Sequence, residues 1–434
     1  MGKIINNSKI RVSVIFILVM SLSFATPAVF FEGKTDASIY KNVKFYSAVA
    51  KKEINTGVKF DVYYFRNDAT QYEKNNKRLA EFSAVASTTA YFKNAKSKSP
   101  YAVWLLEDMG FDDIAINNYK SGKDPSDGVG YVFAQKHVFI DGKPVTLVAV
   151  IIRGTTEGEW FGNFNITGNG AKENYIPEEK HRGFALAAQT LNKDLDKYLE
   201  KNDIDLNSEN TRLWITGHSR GAAVANIVAA DSTIKYGNSR VYAYTFATPN
   251  VTRAPNKIDG ERNDEYFKNI LNFVSNEDFI TQVPLSKSKW EYQKYGNTVI
   301  VNPTSVFKKF IMEKKFNKLT GGKYSTFSEA RTREAITDMG KIAPSVPVYY
   351  KGKKYLGAVR KPQFYFNNIA KLRVYGNDSL IDKAKIGVAY ADMQSYSMYN
   401  GYYANLNSYF SRENLSMLLH SHSPETYISF VRAL

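Results

Sequence analysis

The chain has 434 residues, enough for one large domain or for a catalytic domain with a substantial appendage. It contains no cysteine, which excludes disulfides, thiol catalysis and thiolate metal sites. Its formal charge of +16 favours anionic membranes or cell-wall polymers as partners, and because its lysines accompany no recognition module, we expect no nucleic-acid partner.

The N-terminal segment has the pattern of a secretory signal peptide. Three basic residues precede the apolar run 12–25, and small residues follow it. An uncleaved membrane anchor is the alternative, but the run is shorter than the roughly 20 residues that a helix needs to span a bilayer. We therefore expect residues 1–28 to direct export, with cleavage after Ala25 or Ala28, and residues 29–434 to form the mature protein.

Helical and strand patterns alternate along the next part of the chain. The predicted elements are helices at 79–90 and 101–110, strands at 130–135 and 145–152, and a helix at 184–199. The pattern around the first helix, from 37 to 93, is otherwise mixed. Asp141-Gly142 between the two strands is a hairpin-turn signal. This alternation predicts an α/β protein with a mostly parallel central sheet flanked by helices.

A Gly-His-Ser-Arg-Gly pattern at 217–221 lies between an apolar strand, 212–216, and a small-residue helix, 222–230. Such five-residue patterns also occur by chance. The strand, turn and helix around this one form the setting of a nucleophile elbow, where a strained serine is exposed above the sheet edge. We therefore predict Ser219 as a nucleophile, with the backbone amide of Arg220 directed at the oxygen of an acyl group.

Histidine is scarce, with five in the chain. In α/β-hydrolases the base follows both the serine and the acid along the sequence, which leaves His420 and His422. His422 is favoured because residues 423–425 predict a helix start, and a catalytic histidine commonly lies on a loop before a terminal helix. The remaining histidines are His137, His181 and His218. The first two are interpreted as surface or helix-start residues, and the third is expected to turn its ring away from the serine hydroxyl.

The acid is expected after a later strand. The apolar run 270–274 is followed by Ser-Asn-Glu-Asp, and ligand-handling groups of an α/β sheet cluster beyond the carboxyl ends of its strands. Asp278 is the predicted acid, which would hold the histidine tautomer, and Glu277 is its rival. The alternative for both is that they are solvated loop acids.

A second oxyanion donor is expected after the predicted strand 145–152. That strand ends in Arg-Gly-Thr-Thr, where Gly154 lets the backbone approach a substrate closely. The amide and the hydroxyl of Thr155 are both able to donate. Thr155 and Arg220 are therefore the predicted oxyanion hole.

Seven ordered segments resemble the fungal-type, or class 3, lipase family. They are 152–155, 159–160, 181–184, 217–221, 245–249, 276–284 and 422–427. Their order and spacing match from about residue 87 to 295 and again at the C-terminus. The resemblance is to an exported bacterial member of the family, and it implies an α/β-hydrolase fold and serine-dependent hydrolysis of carboxylic esters, often of lipids, without a metal or cofactor.

The resemblance also carries over residue by residue. It implies Ser219 as the nucleophile, Asp278 as the orienting acid, His422 as the base, and Thr155 with Arg220 as the oxyanion hole. The substrate partner would then be a lipid or another ester.

Two segments depart from the family pattern. Leucine usually stands where this chain has Arg220, so we expect a cation beside the acyl site. Residues 165–180, where many relatives carry an amphipathic lid, are glycine-rich and polar here. Interfacial activation by that lid is therefore in doubt.

The interval between the predicted acid and base is longer than the family core needs, and we place an insertion at about 302–410. It contains a lysine-rich helical stretch at 306–318 and a predicted hairpin at 348–357. Its aromatic cluster consists of Tyr396, Tyr399, Tyr402, Tyr403, Tyr409 and Phe410. These rings either form a packed surface or core edge, or they belong to a cap that lines an acyl pocket or binds a glycan or wall surface.

Three functions fit these features. The first is an exported serine esterase or lipase. The second retains the same residues but acts on phospholipids or on acyl groups of wall polymers. The third is a non-catalytic surface-binding protein on the same fold, because a fold alone does not establish function.

Overall fold

The computed structural model describes residues 38–66, 76–92, 99–117, 119, 128–155, 180–255, 263–286, 291–342, 348–350, 353–355, 409, 411 and 414–434. The predicted signal peptide, the segment 159–160 and nearly all of the lid-equivalent segment lie outside these residues. The described residues belong to one unit, 37–434. Among them, no helix is both long enough and apolar enough to cross a bilayer.

The described strands are β1 (Ser38–Ser47), β2 (Lys52–Asp61), β3 (Asp112–Asn117), β4 (Tyr131–Ile140), β5 (Lys143–Ile152), β6 (Thr211–His218), β7 (Val241–Phe246), β8 (Ile270–Val274), β9 (Asn297–Ile300), β10 (Val348–Tyr350) and β11 (Lys353–Tyr355). The described α-helices are α1 (Asn76–Thr89), α2 (Tyr101–Asp108), α3 (Arg182–Lys201), α4 (Arg220–Tyr236), α5 (Asn263–Tyr266), α6 (Val306–Thr320), α7 (Glu329–Ile342), α8 (Leu415–His422) and α9 (Pro424–Ala433).

A seven-stranded sheet in the order β3-β4-β5-β6-β7-β8-β9 forms the centre of the molecule. Strands β5 to β9 are parallel, and β3 and β4 add an antiparallel edge. The three strands β6, β7 and β8 are buried along their whole length, as expected for parallel strands that are covered on both faces. The predicted α/β class with a mostly parallel sheet is confirmed.

Two hydrophobic clusters cover the two faces of this sheet. Side chains alternate along β6, so that Trp214 joins the cluster with α1 and α9, while Leu213 and Ile215 join the cluster with α3 and α4. The buried indole of Trp214 donates to the Ser83 hydroxyl of α1 at 2.9 Å. The helices thus sit on both faces and hold the carboxyl ends of the strands in place.

The predicted hairpin between β4 and β5 is confirmed. The two strands pair antiparallel, and Asp141 and Gly142 have φ values of 51° and 76°, the left-handed conformation that a two-residue hairpin turn requires. The helix predicted at 101–110 ends near Gly110, which has φ of 70°. Gly110 therefore lies just past the end of α2, in a backbone conformation that would strain a residue with a side chain.

The first hairpin of the chain was not predicted. Strands β1 and β2 pair antiparallel within the stretch 37–93, whose sequence pattern is mixed. Residues Ile54, Thr56, Val58 and Phe60 of β2 are buried at every second position, which is the signature of a half-buried strand. That alternation is the signal that could have predicted the strand.

The described part of the insertion contains the predicted lysine-rich helix, α6, and the predicted hairpin, in which β10 pairs antiparallel with β11. Of the aromatic cluster, only Tyr409 lies within the described residues. Its ring is buried and stacked on Phe327, with ring centroids 4.4 Å apart, and its hydroxyl lies 3.2 Å from that of Thr332. This tyrosine is packed in the interior, whereas the other five lie outside the described residues.

Candidate active site

The turn between β6 and α4 holds Ser219 in a strained conformation. Its φ of 58° and ψ of −125° are rare for any residue other than glycine. A Cβ atom on Gly217 would lie 2.5 Å from the carbonyl carbon of Gly221, so the turn leaves no room for a side chain there. The serine amide donates to Phe246 O of β7 at 3.0 Å. The predicted elbow geometry is therefore present, with Ser219 at the carboxyl edge of the sheet.

Replacing Gly221 by alanine is expected to destabilise the fold by about 3 kcal/mol, the upper range for an overpacked core position. The added Cβ would lie 2.4 Å from Ile152 O and 2.6 Å from Arg153 O, and both atoms are backbone and cannot rotate away. Urea unfolding measures the effect. Gly322→Ala is the matched control, because the nearest heavy atom would be the Thr320 hydroxyl at 3.6 Å. Equal unfolding midpoints for the two variants would contradict this account.

Three side chains from distant parts of the chain meet at the elbow. His422 Nε2 lies 2.8 Å from Ser219 Oγ, and His422 Nδ1 lies 2.8 Å from Asp278 Oδ2. Because a carboxylate only accepts, Nδ1 carries the imidazole proton and Nε2 is free to accept the serine proton. The Asp278 side chain is fully buried, while 21% of the His422 side chain is exposed. The arrangement is that of a nucleophile, a base and an orienting acid.

The Asp278 carboxylate is held on both of its oxygens. Ile280 N donates to Oδ1 at 3.0 Å, and Tyr427 OH donates to Oδ2 at 2.8 Å. Burial, and next the charge of Asp278, raises the pKa of Tyr427 well above its ordinary value, so this hydroxyl remains a donor. Ser275 N in turn donates to the tyrosine oxygen at 3.2 Å. These donors stabilise the ionised carboxylate that His422 needs.

The sequence assigned no role to Tyr427, although it lies in a segment with family resemblance. Its position five residues after His422, in the first turn and a half of α9, brings its hydroxyl back to the acid. A buried tyrosine in a terminal helix is more often a packing residue, so its type alone gave no signal.

The rival acid, Glu277, is held elsewhere. Its Oε2 accepts a hydrogen bond from Tyr324 OH at 3.0 Å. Burial raises the pKa of Glu277 above its ordinary value, and the tyrosine hydroxyl and Lys309 oppose that shift. Of the two neighbouring acids, the structure therefore brings Asp278 and not Glu277 to His422.

The two rival histidines lie on one short helix. His422 is the last residue of α8, and Ser423 alone separates it from α9, so the expectation that it hangs on a loop is wrong. The predicted helix start at Pro424 is confirmed. Residues two apart on a helix point about 200° apart, so only one of the two can face the serine. The ring of His420 instead packs against Phe316, with centroids 5.6 Å apart, and burial lowers its pKa.

His218 is buried beside the nucleophile, and its ring is bonded on both nitrogens. Nε2 lies 2.9 Å from the main-chain oxygen of His422, and Nδ1 lies 2.9 Å from Tyr91 OH. A carbonyl only accepts, so Nε2 carries the proton and Nδ1 accepts from the tyrosine. Burial, and next the proximity of His422, lowers the pKa of His218 well below 6.5, which keeps this ring neutral. His218 thus holds the backbone of the candidate base.

The other two histidines lie away from the triad geometry. His137 is exposed on β4, as predicted. His181 is the N-terminal cap of α3, where its Nδ1 accepts from Phe184 N at 3.4 Å. It is fully buried rather than on the surface, because its ring stacks on Phe184 at 3.7 Å.

The loop after β5 lies against the elbow, where the oxyanion hole was predicted. A Cβ atom on Gly154 would lie 3.0 Å from His218 O, and the next residue, Thr155, is buried. The Arg220 amide opens α4 directly after Ser219. Both predicted donors are therefore on segments that meet beside the serine.

The cation expected beside the acyl site is directed elsewhere. The Arg220 side chain is 1% exposed and donates to the main-chain oxygens of Gly128 at 3.2 Å and Gly183 at 3.3 Å. Its guanidinium also lies over the ring of Phe184, 5.4 Å from the centroid. The Arg220 guanidinium thus connects the start of α4 to the start of α3. The Arg220 backbone amide remains the group next to Ser219.

Lys294 stabilises the turn that follows Asp278. Lys294 Nζ donates to Asn250 Oδ1 at 2.6 Å and to Thr281 O at 2.8 Å. Asn250 Nδ2 donates to Pro284 O at 2.7 Å, so both ends of the turn after Asp278 are held. Burial lowers the pKa of Lys294 from 10.5 to about 7, and the Asp278 charge opposes this shift. No pattern in the sequence distinguishes this lysine from the many others.

The lowered pKa of Lys294 predicts a specific pH dependence of stability. Between the folded pKa of about 7 and the unfolded pKa of 10.5, the unfolded chain binds a proton that the folded chain does not. Stability therefore rises with pH across this window, by about 1.4 kcal/mol per pH unit for one full proton. The Lys294→Met variant lacks this contribution, so its urea unfolding free energy is expected to rise less steeply between pH 7.5 and 9.5. Parallel curves for the two proteins would show that the lysine stays charged.

One family model matches the chain. Residues 149–288 match the family described as lipase (class 3). The match begins within β5 and includes Ser219 and Asp278, whereas His422 lies beyond it. No curated protein matches the chain in sequence.

Several solved structures are similar to this chain. The triacylglyceride lipase of Rhizomucor miehei is 12% identical, with 54% of this chain and 83% of that chain covered and a TM-score of 0.34. The lipase of Rhizopus microsporus var. chinensis is 15% identical, with 54% and 77% covered and a TM-score of 0.33. A fungal lipase is 17% identical, with 53% and 80% covered and a TM-score of 0.35.

The parallel sheet, the elbow and the family match define the chain as a serine ester hydrolase with the α/β-hydrolase fold. More narrowly, residues 149–288 are similar to the class 3 lipases, whose family model they match.

Proposed function

We propose that this protein is an exported bacterial enzyme that cleaves carboxylic esters of lipids through an acyl intermediate on Ser219. The observation that carries the proposal is the hydrogen-bonded series from Ser219 through His422 to Asp278. Both contacts are 2.8 Å, and they join residues 203 and 144 positions apart. Packing alone does not require a buried carboxylate, an imidazole and a strained serine to be aligned in this way.

The proposed reaction begins when His422 Nε2 accepts the proton of Ser219 and the serine oxygen attacks the ester carbonyl carbon. The backbone amides of Thr155 and Arg220 stabilise the negative oxygen of the tetrahedral intermediate. His422 then gives its proton to the leaving alcohol, and the acyl group stays on the serine. In the second half, His422 accepts a proton from water, whose oxygen attacks the acyl carbon. His422 then returns this proton to the Ser219 oxygen as its bond to the acyl carbon breaks and the carboxylic acid leaves. His422 holds each transferred proton, so these steps require no metal or cofactor.

Lipid esters are the proposed substrates because the family match is to class 3 lipases. Export is proposed from the basic and apolar pattern of residues 1–28. The positive charge supports association with an anionic membrane or cell-wall surface. A phospholipase or a wall-polymer deacylase would use the same residues, whereas a non-catalytic surface-binding protein would not need the aligned serine and histidine.

Labelling with a fluorophosphonate tests the proposal, because this reagent reacts with a serine only when a base activates it. We expect one adduct per chain, located by peptide mapping at Ser219, and no adduct on the urea-unfolded protein. An absent adduct, or one on another serine, would contradict the proposed mechanism. Hydrolysis rates on esters of graded chain length, on phospholipids and on acylated wall polymer would then assign the substrate class.

A further inference from the structure

The outer face of α6 exposes large apolar side chains. Val306 is 88% exposed, Phe307 69% and Phe310 59%, and Ile300 at the end of β9 is 46% exposed. Single exposed apolar residues are ordinary on protein surfaces. Three within five residues of one helix, with a fourth just before it, form a patch that needs a different explanation.

The geometry of α6 explains why these residues point outward. The buried side of the helix carries Met312, Phe316 and Thr320, spaced four residues apart. Phe316 on that side packs against Tyr324 and His420. The opposite side carries a second series with the same spacing: Val306, Phe310, Lys314 and Lys318. The outer side of the helix is thus apolar in its first half and cationic in its second half, where Lys314 and Lys318 are exposed.

This face lies at the same edge of the sheet as the candidate active site. Strand β9 is parallel to β8, so its carboxyl end, which leads into α6, lies beside the turn that carries Asp278. Val301 N donates to Val274 O at 2.9 Å, and Asn276 N donates to Asn302 Oδ1 at 2.7 Å. The segment before α6 is therefore bonded directly to the segment before the acid.

We propose that the α6 face, defined as Ile300, Val306, Phe307, Phe310, Lys314 and Lys318, docks the protein on an anionic lipid surface. The aromatic and aliphatic side chains would enter the boundary between headgroups and acyl chains, while the lysines bind the anionic headgroups. The mixture of apolar and cationic groups on one face, together with the positive net charge of the chain, favours this partner over a neutral one.

The purpose of the docking rests on the proposed function, because it would hold the active-site edge of the sheet against a surface that contains the ester substrate. The docking itself is independent of catalysis. It can therefore be measured in the Ser219→Ala protein, which is not expected to alter the vesicles.

Sedimentation with large unilamellar vesicles tests the inference. We expect the Ser219→Ala protein to bind vesicles that contain phosphatidylglycerol and phosphatidylcholine, and to bind pure phosphatidylcholine at least tenfold more weakly. Adding Phe307→Ser and Phe310→Ser is expected to lower the partition coefficient on the anionic vesicles at least tenfold. Adding Lys314→Gln and Lys318→Gln instead is expected to lower it several-fold, by an amount that diminishes at high salt.

Matched controls come from the opposite edge of the sheet. Ile234 is 55% exposed near the end of α4, and Lys197 and Lys201 are spaced four residues apart near the end of α3, as Lys314 and Lys318 are on α6. Ile234→Ser and the pair Lys197→Gln with Lys201→Gln are expected to change binding less than twofold. Far-UV circular dichroism checks that every variant is folded.

Two results would overturn the inference. The first is that variants of the α6 face and the control variants bind anionic vesicles equally. The second is that the parent is a dimer in light scattering and becomes a monomer with Phe307→Ser and Phe310→Ser, which would show that a second copy covers this face. Neither result depends on ester hydrolysis, so failure of the docking and failure of the proposed function are distinguishable.

Discussion

The Ser219→Ala variant is expected to hydrolyse soluble short-chain esters about 10⁴-fold or more slowly than the parent, as measured by kcat/KM. The reason is that the variant has no oxygen to receive the acyl group, while the oxyanion donors and His422 remain in place. The remaining rate would come from direct attack of water on the ester, with those donors stabilising the oxyanion that forms. Steady-state rates with nitrophenyl esters of two to eight carbons measure the loss.

The same substitution is expected to leave stability nearly unchanged, because alanine at this position meets the same backbone strain as serine, with φ of 58°. Thermal unfolding checks this point. Ser239→Ala is the control, since this serine is exposed in the turn before β7, at the opposite edge of the sheet. A Ser219→Ala protein that hydrolyses esters like the parent would show that another group is the nucleophile.

The second large effect is expected for Asp278→Asn, a loss of about 10⁴-fold in kcat by analogy with serine proteases in which the orienting acid becomes an amide. In the parent, Oδ2 accepts from His422 Nδ1 and from Tyr427, and Oδ1 accepts from Ile280 N. An amide nitrogen in place of Oδ2 would donate to His422 Nδ1 and shift its proton to Nε2. The histidine would then have no free nitrogen to accept the serine proton.

The opposite orientation of the side-chain amide in this variant is also unfavourable. It would place an NH₂ group against the amide of Ile280, two donors facing each other in a fully buried position. The variant is therefore expected to be less stable as well as slower, and urea unfolding measures that loss. Glu277→Gln is the matched control, because its carboxylate binds Tyr324 instead, and we expect a change in rate of less than threefold. A larger rate loss in the control than in Asp278→Asn would make Glu277 the acid.

Local patterns in the sequence were enough for the elements that form the active-site edge. Strand β8 has the predicted bounds, and β5, β6 and α4 extend the predicted segments by a few residues. These predictions succeed because apolar runs bounded by turn residues reflect burial directly. The first hairpin was not predicted although β2 alternates, because its partner strand β1 is buried only at Val43, Phe45 and Ser47 near its end.

Local sequence patterns do not separate two candidate residues that lie next to each other in the chain. Glu277 and Asp278 have the same chemistry and adjacent positions, and His420 and His422 lie on the same short helix. Only the direction in which each side chain leaves its backbone separates them, and that direction is set by how α8 and the turn before Phe279 pack. The supporting groups Tyr427 and Lys294 were missed for the same reason.

The sequence by itself determined the strands and helices around the elbow, the glycines that force the turn at Ser219, and the candidates for acid and base, because periodicity and turn chemistry are local properties of a chain. Only the tertiary structure decided that Asp278 and His422 meet this serine, that the Arg220 charge binds carbonyls away from it, and that an apolar and cationic face of α6 stands at the same edge. These contacts join residues 26 to 203 positions apart, and their distances depend on how the helices pack on the sheet rather than on any local pattern.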